Sequence, residues 1–278
     1  MKKTNIRIPS VAGQFYSASK QGLNKQIEAL ISPEAAGREK PTTDVIACML
    51  PHAGYMYSGA VAVNTLCCLN IKEKIILIGP NHTGYGAPYS IMTEGTWLTP
   101  LGEVNIDNLL AKKILNHSKY LKEDSVAHLY EHSIEVELPL LQYFKSDFEI
   151  VPIVIQAGDL AVLREIGKDI ASSVKESNLG GSLMIVASSD MTHYEPQEEA
   201  ERKDREAIQA ILDLEEARLL ERVKKMGISM CGYASAIVMI VAAKLLGAKD
   251  ARLVKYQTSG DVTGDKSSVV GYAGILIY

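Results

Sequence analysis

The sequence predicts an α/β fold, one domain with a mostly parallel central sheet flanked by helices. Three observations carry this. Runs of strand length such as LMIVA at Leu183–Ala187 are apolar at every position, the pattern of a strand buried on both faces. Stretches with helical patterning alternate with these runs, as helix-covered sheets require. No linker-like break follows residue 50, which favours a single domain over 1–278.

Taken in order, Asp44 to Leu50 (DVIACML) reads as the first buried strand, and a helix follows from about Ser58 to Leu69. Lys74 to Ile78 (KIILI) is the next strand, and Phe148 to Ile155 another, leading into a helix from Leu160 to Glu176. Leu183 to Ala187 is a further core strand. Mixed-charge helical stretches follow at Gln197–Leu212 and Glu215–Lys225, then a more apolar helix from Gly232 to Leu246. Leu253–Thr258 and Val269–Tyr278 close the sheet. The polar, Pro- and Gly-bearing stretch from Ser32 to Asp44 is expected to be a surface loop.

Composition excludes several function classes. Twenty-nine basic and 33 acidic residues leave a net charge of −4, with no basic patch and no finger or RNA-binding motif, so nucleic acid is not expected as a partner. The start of the chain lacks the apolar core of a secretory signal. The longest apolar run, Ala234 to Ala243, ends at Lys244 and is too short to span a bilayer, which takes about 20 residues. Cys48, Cys67, Cys68 and Cys231 form no C-x-x-C pair and no disulfide framework, so reduced thiols and a cytoplasmic location are expected.

Ligands of open α/β sheets bind beyond the carboxyl ends of the strands. Three of the six histidines fall there: His52 after DVIACML, His82 after KIILI, and His193 after LMIVA. A lone loop histidine usually satisfies a nearby carbonyl; three at equivalent positions point to a shared site for a metal or for acid–base chemistry. Cys231 precedes the helix at Gly232, where a helix N-terminus favours the thiolate, although a small buried hydrophobe is the other reading. That second reading is taken for Cys48, Cys67 and Cys68. Asp190, three residues before His193, could orient an imidazole or cap a turn.

His128-Leu129-Tyr130-Glu131-His132 fits H-x-x-E-H, the inverted zinc-peptidase pattern. Against it, the segment before is a poor helix, and a helix starting near Glu131 fits better, with His132 and Glu135 presented to the main site. His117 is expected in solvent. Tyr55 and Tyr57 are expected to pack, and Ser259-Gly260-Asp261 and Thr263-Gly264-Asp265 to form turns. No phosphate-binding loop and no G-x-S-x-G elbow occurs.

The chain resembles the Memo family, in particular the prokaryotic branch called AmmeMemoRadiSam system protein B. The resemblance rests on Arg7-Ile8-Pro9, Val11 to Tyr16, Pro51 to Tyr55 with Ser58-Gly59, and Gly79 to His82. It continues through Glu131 to Glu135, Ser188-Ser189-Asp190 with His193, Cys231-Gly232, and Tyr272-Ala273-Gly274. It implies a fold similar to class III extradiol dioxygenases, iron enzymes that open catechol rings using two histidines and a carboxylate. On that likeness His52 and His82 are metal ligands, Cys231 stands where the carboxylate would be, and His193 acts as acid or base. Asp190 and His132 would shape the pocket. Fe(II) is implied by analogy; a thiolate in place of a carboxylate favours Cu or Zn as well.

Three functions follow as expectations. The first is a metal-dependent oxidoreductase or oxygenase-like enzyme acting on a small molecule. The second, implied by the animal relatives, is a non-catalytic signalling adaptor that holds a peptide. The third is the zinc peptidase. The family's name further implies a radical-SAM protein and a small companion protein as partners.

Overall fold

A computed structural model describes residues 5–33, 44–179 and 181–278. Its strands are β1 (Ile6–Arg7), β2 (Ala47–Leu50), β3 (Lys74–Pro80), β4 (Tyr89–Ile91), β5 (Thr96–Thr99) and β6 (Gly102–Ile106). They continue as β7 (Lys122–Glu123), β8 (Glu149–Ile155), β9 (Leu183–Ser188), β10 (His193–Glu195), β11 (Ala251–Thr258) and β12 (Val269–Ile277). All twelve join one sheet. Its main path runs β1-β5-β6-β8-β3-β9-β2-β12-β10, with β11 paired to β12 and β4 to β8.

The centre of the sheet, β6-β8-β3-β9-β2, is parallel throughout. β2 and β9 are buried at every residue, and β3 and β8 at all but the first, which is why these segments read as unbroken apolar runs. The parallel register places Met49 and Ile78 on either side of Ala187, so β2, β3 and β9 end at one edge of the molecule. The three chains leaving that edge carry His52, His82 and His193. β12 runs antiparallel to β2 and β11 antiparallel to β12, an arrangement that puts the loop between them beside the same edge.

Helices cover both faces. Helix Leu160–Glu176 buries Leu163, Ile166, Ile170 and Val174 at three- and four-residue spacing and packs on helix Tyr233–Leu245. The approach is close: a Cβ on Gly167 would lie 2.8 Å from the Val241 side chain. Helix Tyr233–Leu245 is buried from Ala234 through Ala243, so its apolar run is a core helix. Among the described residues no helix is long and apolar enough to cross a membrane. On the other face, helix Gly59–Leu66 packs against β12, helix Lys20–Leu30 and helix Glu137–Phe144.

Several expected boundaries shift. The first strand is confined to Ala47–Leu50, and the helix after it to Gly59–Leu66. The helix expected from Glu131 begins only at Glu137, because residues 131–136 form a turn tied together by side chains. Residues 259–263 are a short helix closed by a Thr258–Asp261 capping box instead of a turn. Most of the expected surface loop, 34–43, lies outside the described residues. His117 is not simply solvated: its Nδ1 pairs with Ser173 Oγ at 2.9 Å and its Nε2 lies 3.4 Å from Glu176.

Candidate metal centre

His52, His82 and His132 converge where β2 and β3 end. Each offers a ring nitrogen, and the three atoms lie within 4.8 Å of one another, a group that could hold a metal ion. The His82 and His132 rings stack at 4.6 Å and 19°, and His52 meets both edge-on at 5.1 and 5.6 Å.

The outer nitrogens of His52 and His82 are committed to hydrogen bonds. His52 Nδ1 lies 2.7 Å from Ser188 Oγ, whose own proton goes to the Ser133 carbonyl at 2.7 Å. Nδ1–H is therefore the donor, leaving the Nε2 lone pair for the centre. Burial pushes Glu137 well above the usual carboxyl range, and its Oε1, 3.0 Å from Ser188 Oγ, is a second acceptor for that hydroxyl. Burial, then the neighbouring His82 and His132, pulls His52 well below its ordinary range, so the ring is a neutral imidazole. Neutral imidazoles with the second nitrogen tied to an oxygen are what transition-metal sites require.

Glu131 does the same for His82. Its Oε1 accepts from His82 Nδ1 at 2.9 Å and from the Ser133 amide at 2.8 Å, while Oε2 accepts from the His82 amide at 2.5 Å. Burial alone would raise this carboxyl; the bonds from His82 and Ser133 win and bring it down to about 2. Its ionised Oε1 also lies 3.6 Å from His132 Nδ1. Burial lowers His132 too, and Phe15 covers it at 5.0 Å.

Cys231 sits beside this group without belonging to it. Its Sγ is 3.4 Å from His52 Nε2 and accepts from the Asp190 amide at 3.3 Å. The chain can bring it so close because residue 232 is glycine: a Cβ there would lie 2.3 Å from the Ser188 carbonyl. The expected thiolate is not favoured by the protein alone, since burial and the Asp190 carboxylate push the thiol well above its usual range. Asp190 caps a turn, accepting from the His52 amide at 2.8 Å and the Ala53 amide at 3.3 Å. Burial raises it to about 6 against those bonds. It orients the His52 loop through the backbone and makes no hydrogen bond to His193.

His193 stands apart. Its amide donates to Ser229 Oγ at 2.7 Å and its Nδ1–H to the Ser229 carbonyl at 2.9 Å, leaving Nε2 free. A cavity of about 750 Å³ connects the parts, lined by His52, His82, His132, Asp190 and His193 together with Phe15, Tyr57, Tyr194, Asp265 and Tyr272. Tyr57 thus lines the cavity, while Tyr55 is buried and donates to the Val136 carbonyl, as packing requires.

The peptidase pairing does not form. His128 lies on a four-residue helix, Val126–Leu129, that ends before His132, so the two rings do not share a helix face. His128 is fully buried against Trp97, with Nε2 3.1 Å from Ser90 Oγ. Glu135 also turns away from the centre. It forms a buried ion pair with Arg7 and accepts from Ser10, Val11 and Tyr16, which fastens the N-terminal segment carrying Gln14 and Phe15 over the cavity. Arg7, Glu131 and Ser188 stood out in the sequence only as residues that carry the family resemblance, Glu131 also in the peptidase pattern, with no role assigned at this site, and Glu137 did not stand out at all.

A family model described as Memo-like protein matches residues 7–276. The chain is 43% identical to a MEMO1 family protein of Methanopyrus kandleri, covering 97% of this chain and 98% of that one. It is 44% identical to a MEMO1 family protein of Methanococcoides burtonii, covering 98% and 100%. An uncharacterized protein from Escherichia coli K12 shares the fold, with a TM-score of 0.58 and 16% identity over 82% of this chain and 98% of that chain. With the match running nearly end to end, the chain belongs to the Memo-like protein family.

Proposed function

We infer that this protein binds a transition-metal ion through His52, His82 and His132, with Cys231 as a neighbouring fourth donor, and uses it in redox chemistry on a small molecule. The observation that carries this is the triad itself: three converging imidazoles, two with the outer nitrogen held by an oxygen, at the wall of a cavity. Imidazole with an adjacent thiol suits zinc, copper or iron. No carboxylate belongs to the group, so the two-histidine, one-carboxylate arrangement of ring-opening iron enzymes is not reproduced. A redox metal held there would supply electron transfer and polarise a substrate oxygen.

The chain's own residues supply the rest. Ser188 and Glu131 fix which nitrogen of His52 and His82 faces the centre. Phe15 and Tyr272 give the cavity aromatic walls. His193, with Nδ1 anchored on Ser229, offers Nε2 as the group that takes or returns a proton. A peptide-holding role without catalysis is the second reading. It is favoured by a further depression of about 420 Å³ that shares Gln14, Phe15, Gly54 and Tyr57 with the cavity and would accommodate an extended ligand.

Elemental analysis of protein purified anaerobically tests the first reading. Near-stoichiometric iron or copper in the wild type, and none in His52→Ala, is the expected result; zinc lost in His52→Ala would support the site but contradict its redox use. A metal-free wild type that stays metal-free after reconstitution would favour the peptide-holding role.

A further inference from the structure

The cavity has a charge and ring pattern that the metal does not explain. Among its described lining residues there is no lysine and no arginine; the charged side chains there are Asp190 and Asp265. Among the described residues that line the adjoining depression none is charged. Phe15, Tyr57, Tyr194 and Tyr272 supply four aromatic rings. Proteins that hold phosphate or carboxylate groups present arginine, lysine or amide-rich turns to them. Rings with a carboxylate suit a cation.

The rim adds a second observation. Tyr194 has a φ of 59°, a backbone region that bulky residues adopt at a cost, and its side chain is left 78% exposed. The ladder between β10 and β12 shifts register at this point, which takes Tyr194 out of the pairing. It therefore makes neither a core contact nor a ladder pair, and it lines the cavity 5.7 Å from the His193 ring. Asp265, also exposed, is held below the usual carboxylate range by two bonds from Ser267 and so carries its charge.

We propose that the organic ligand of this cavity is a cationic amine with an aromatic body, its ring against Tyr194 and its ammonium at Asp265. This rests on the cavity being the ligand site and not on the metal. A metal ion would add positive charge at the inner end, whereas Tyr194 and Asp265 lie at the outer rim.

Calorimetric titration with tyramine, 4-ethylphenol and 4-hydroxyphenylacetate tests it, because the three share a ring and differ in charge. Full-length protein is used as purified and after dialysis against a chelator, so that a failure of the metal reading stays separate. Tyramine is expected to bind about tenfold more tightly than 4-hydroxyphenylacetate in the chelated protein, with 4-ethylphenol between them. Asp265→Asn should bring tyramine to the level of 4-ethylphenol and leave 4-ethylphenol unchanged. Tyr194→Gly should weaken all three without lowering the melting temperature, since glycine adopts this backbone conformation freely. The proposal is overturned if the acid binds as tightly as the amine in chelated protein. It is equally overturned if tyramine does not bind at millimolar concentration, or if Asp265→Asn leaves its affinity intact.

Discussion

Replacing Glu135 by alanine is expected to destabilise the protein by about 3–5 kcal/mol, the cost of stranding one half of a buried ion pair. Arg7 and Glu135 are both almost wholly buried. Without the carboxylate the Arg7 guanidinium keeps the carbonyls of His128 and Glu131, at 3.1 and 2.7 Å, Ser10 Oγ at 3.4 Å and the face of Trp97 at 4.4 Å, but its charge is uncompensated. The Ser10 and Val11 amides and the Tyr16 hydroxyl lose their acceptor as well. A thermal melt should show a fall of roughly 10 °C for a chain of this size. The double variant Arg7→Met with Glu135→Leu should recover much of the loss, because an apolar pair leaves no stranded charge. The single change should also weaken metal binding, since the segment it releases carries Phe15 against His132. A Glu135→Ala protein that melts with the wild type would mean that the pair does not hold this segment.

Glu131→Gln is expected to act on the metal more than on the fold. The carboxylate accepts three hydrogen bonds, two of them from His82. An amide keeps one acceptor oxygen and turns an NH₂ group towards the remaining donors. His82 then loses the partner that fixes its tautomer, and the affinity for Zn(II) should drop about 10- to 100-fold in a competition titration. The acid limb of stability should change in a defined direction. Because the folded carboxyl is depressed from 4.5 to about 2, its contribution is fully present above pH 4.5 and is lost as pH falls through 2. The glutamine variant lacks that contribution throughout. Unchanged zinc affinity in Glu131→Gln would reduce Glu131 to a turn-former.

Much of this architecture was legible because buried parallel strands write themselves as unbroken apolar runs and their carboxyl ends collect ligand-binding residues. That reasoning reached His52, His82 and His193, each two to five residues beyond a core strand. It could not place His132 among the closest three donors, because His132 follows no strand. It sits on a turn whose position depends on Arg7 reaching the carbonyls of His128 and Glu131, contacts spanning more than a hundred residues. The H-x-x-E-H spacing misled for a related reason: four-residue spacing implies a shared face only on a continuous helix, and this one stops at Leu129. The sequence left both a thiolate and a buried thiol open at Cys231; burial beside Asp190 favours the thiol. Tyr194 carried no sequence signal, since no strand is expected at 193–195 and its position follows from the irregular pairing of β10 with β12.

If the metal centre is built on three histidines with Cys231 alongside, each donor should weigh differently in binding. Co(II) titrated into the wild type, His132→Ala and Cys231→Ala, with the visible absorption bands as readout, separates their shares. One site in the wild type, a loss of binding in His132→Ala, and retained but weaker binding in Cys231→Ala are expected. Full-strength binding in His132→Ala together with none in Cys231→Ala would contradict that arrangement and return the site to a His52, His82 and Cys231 set.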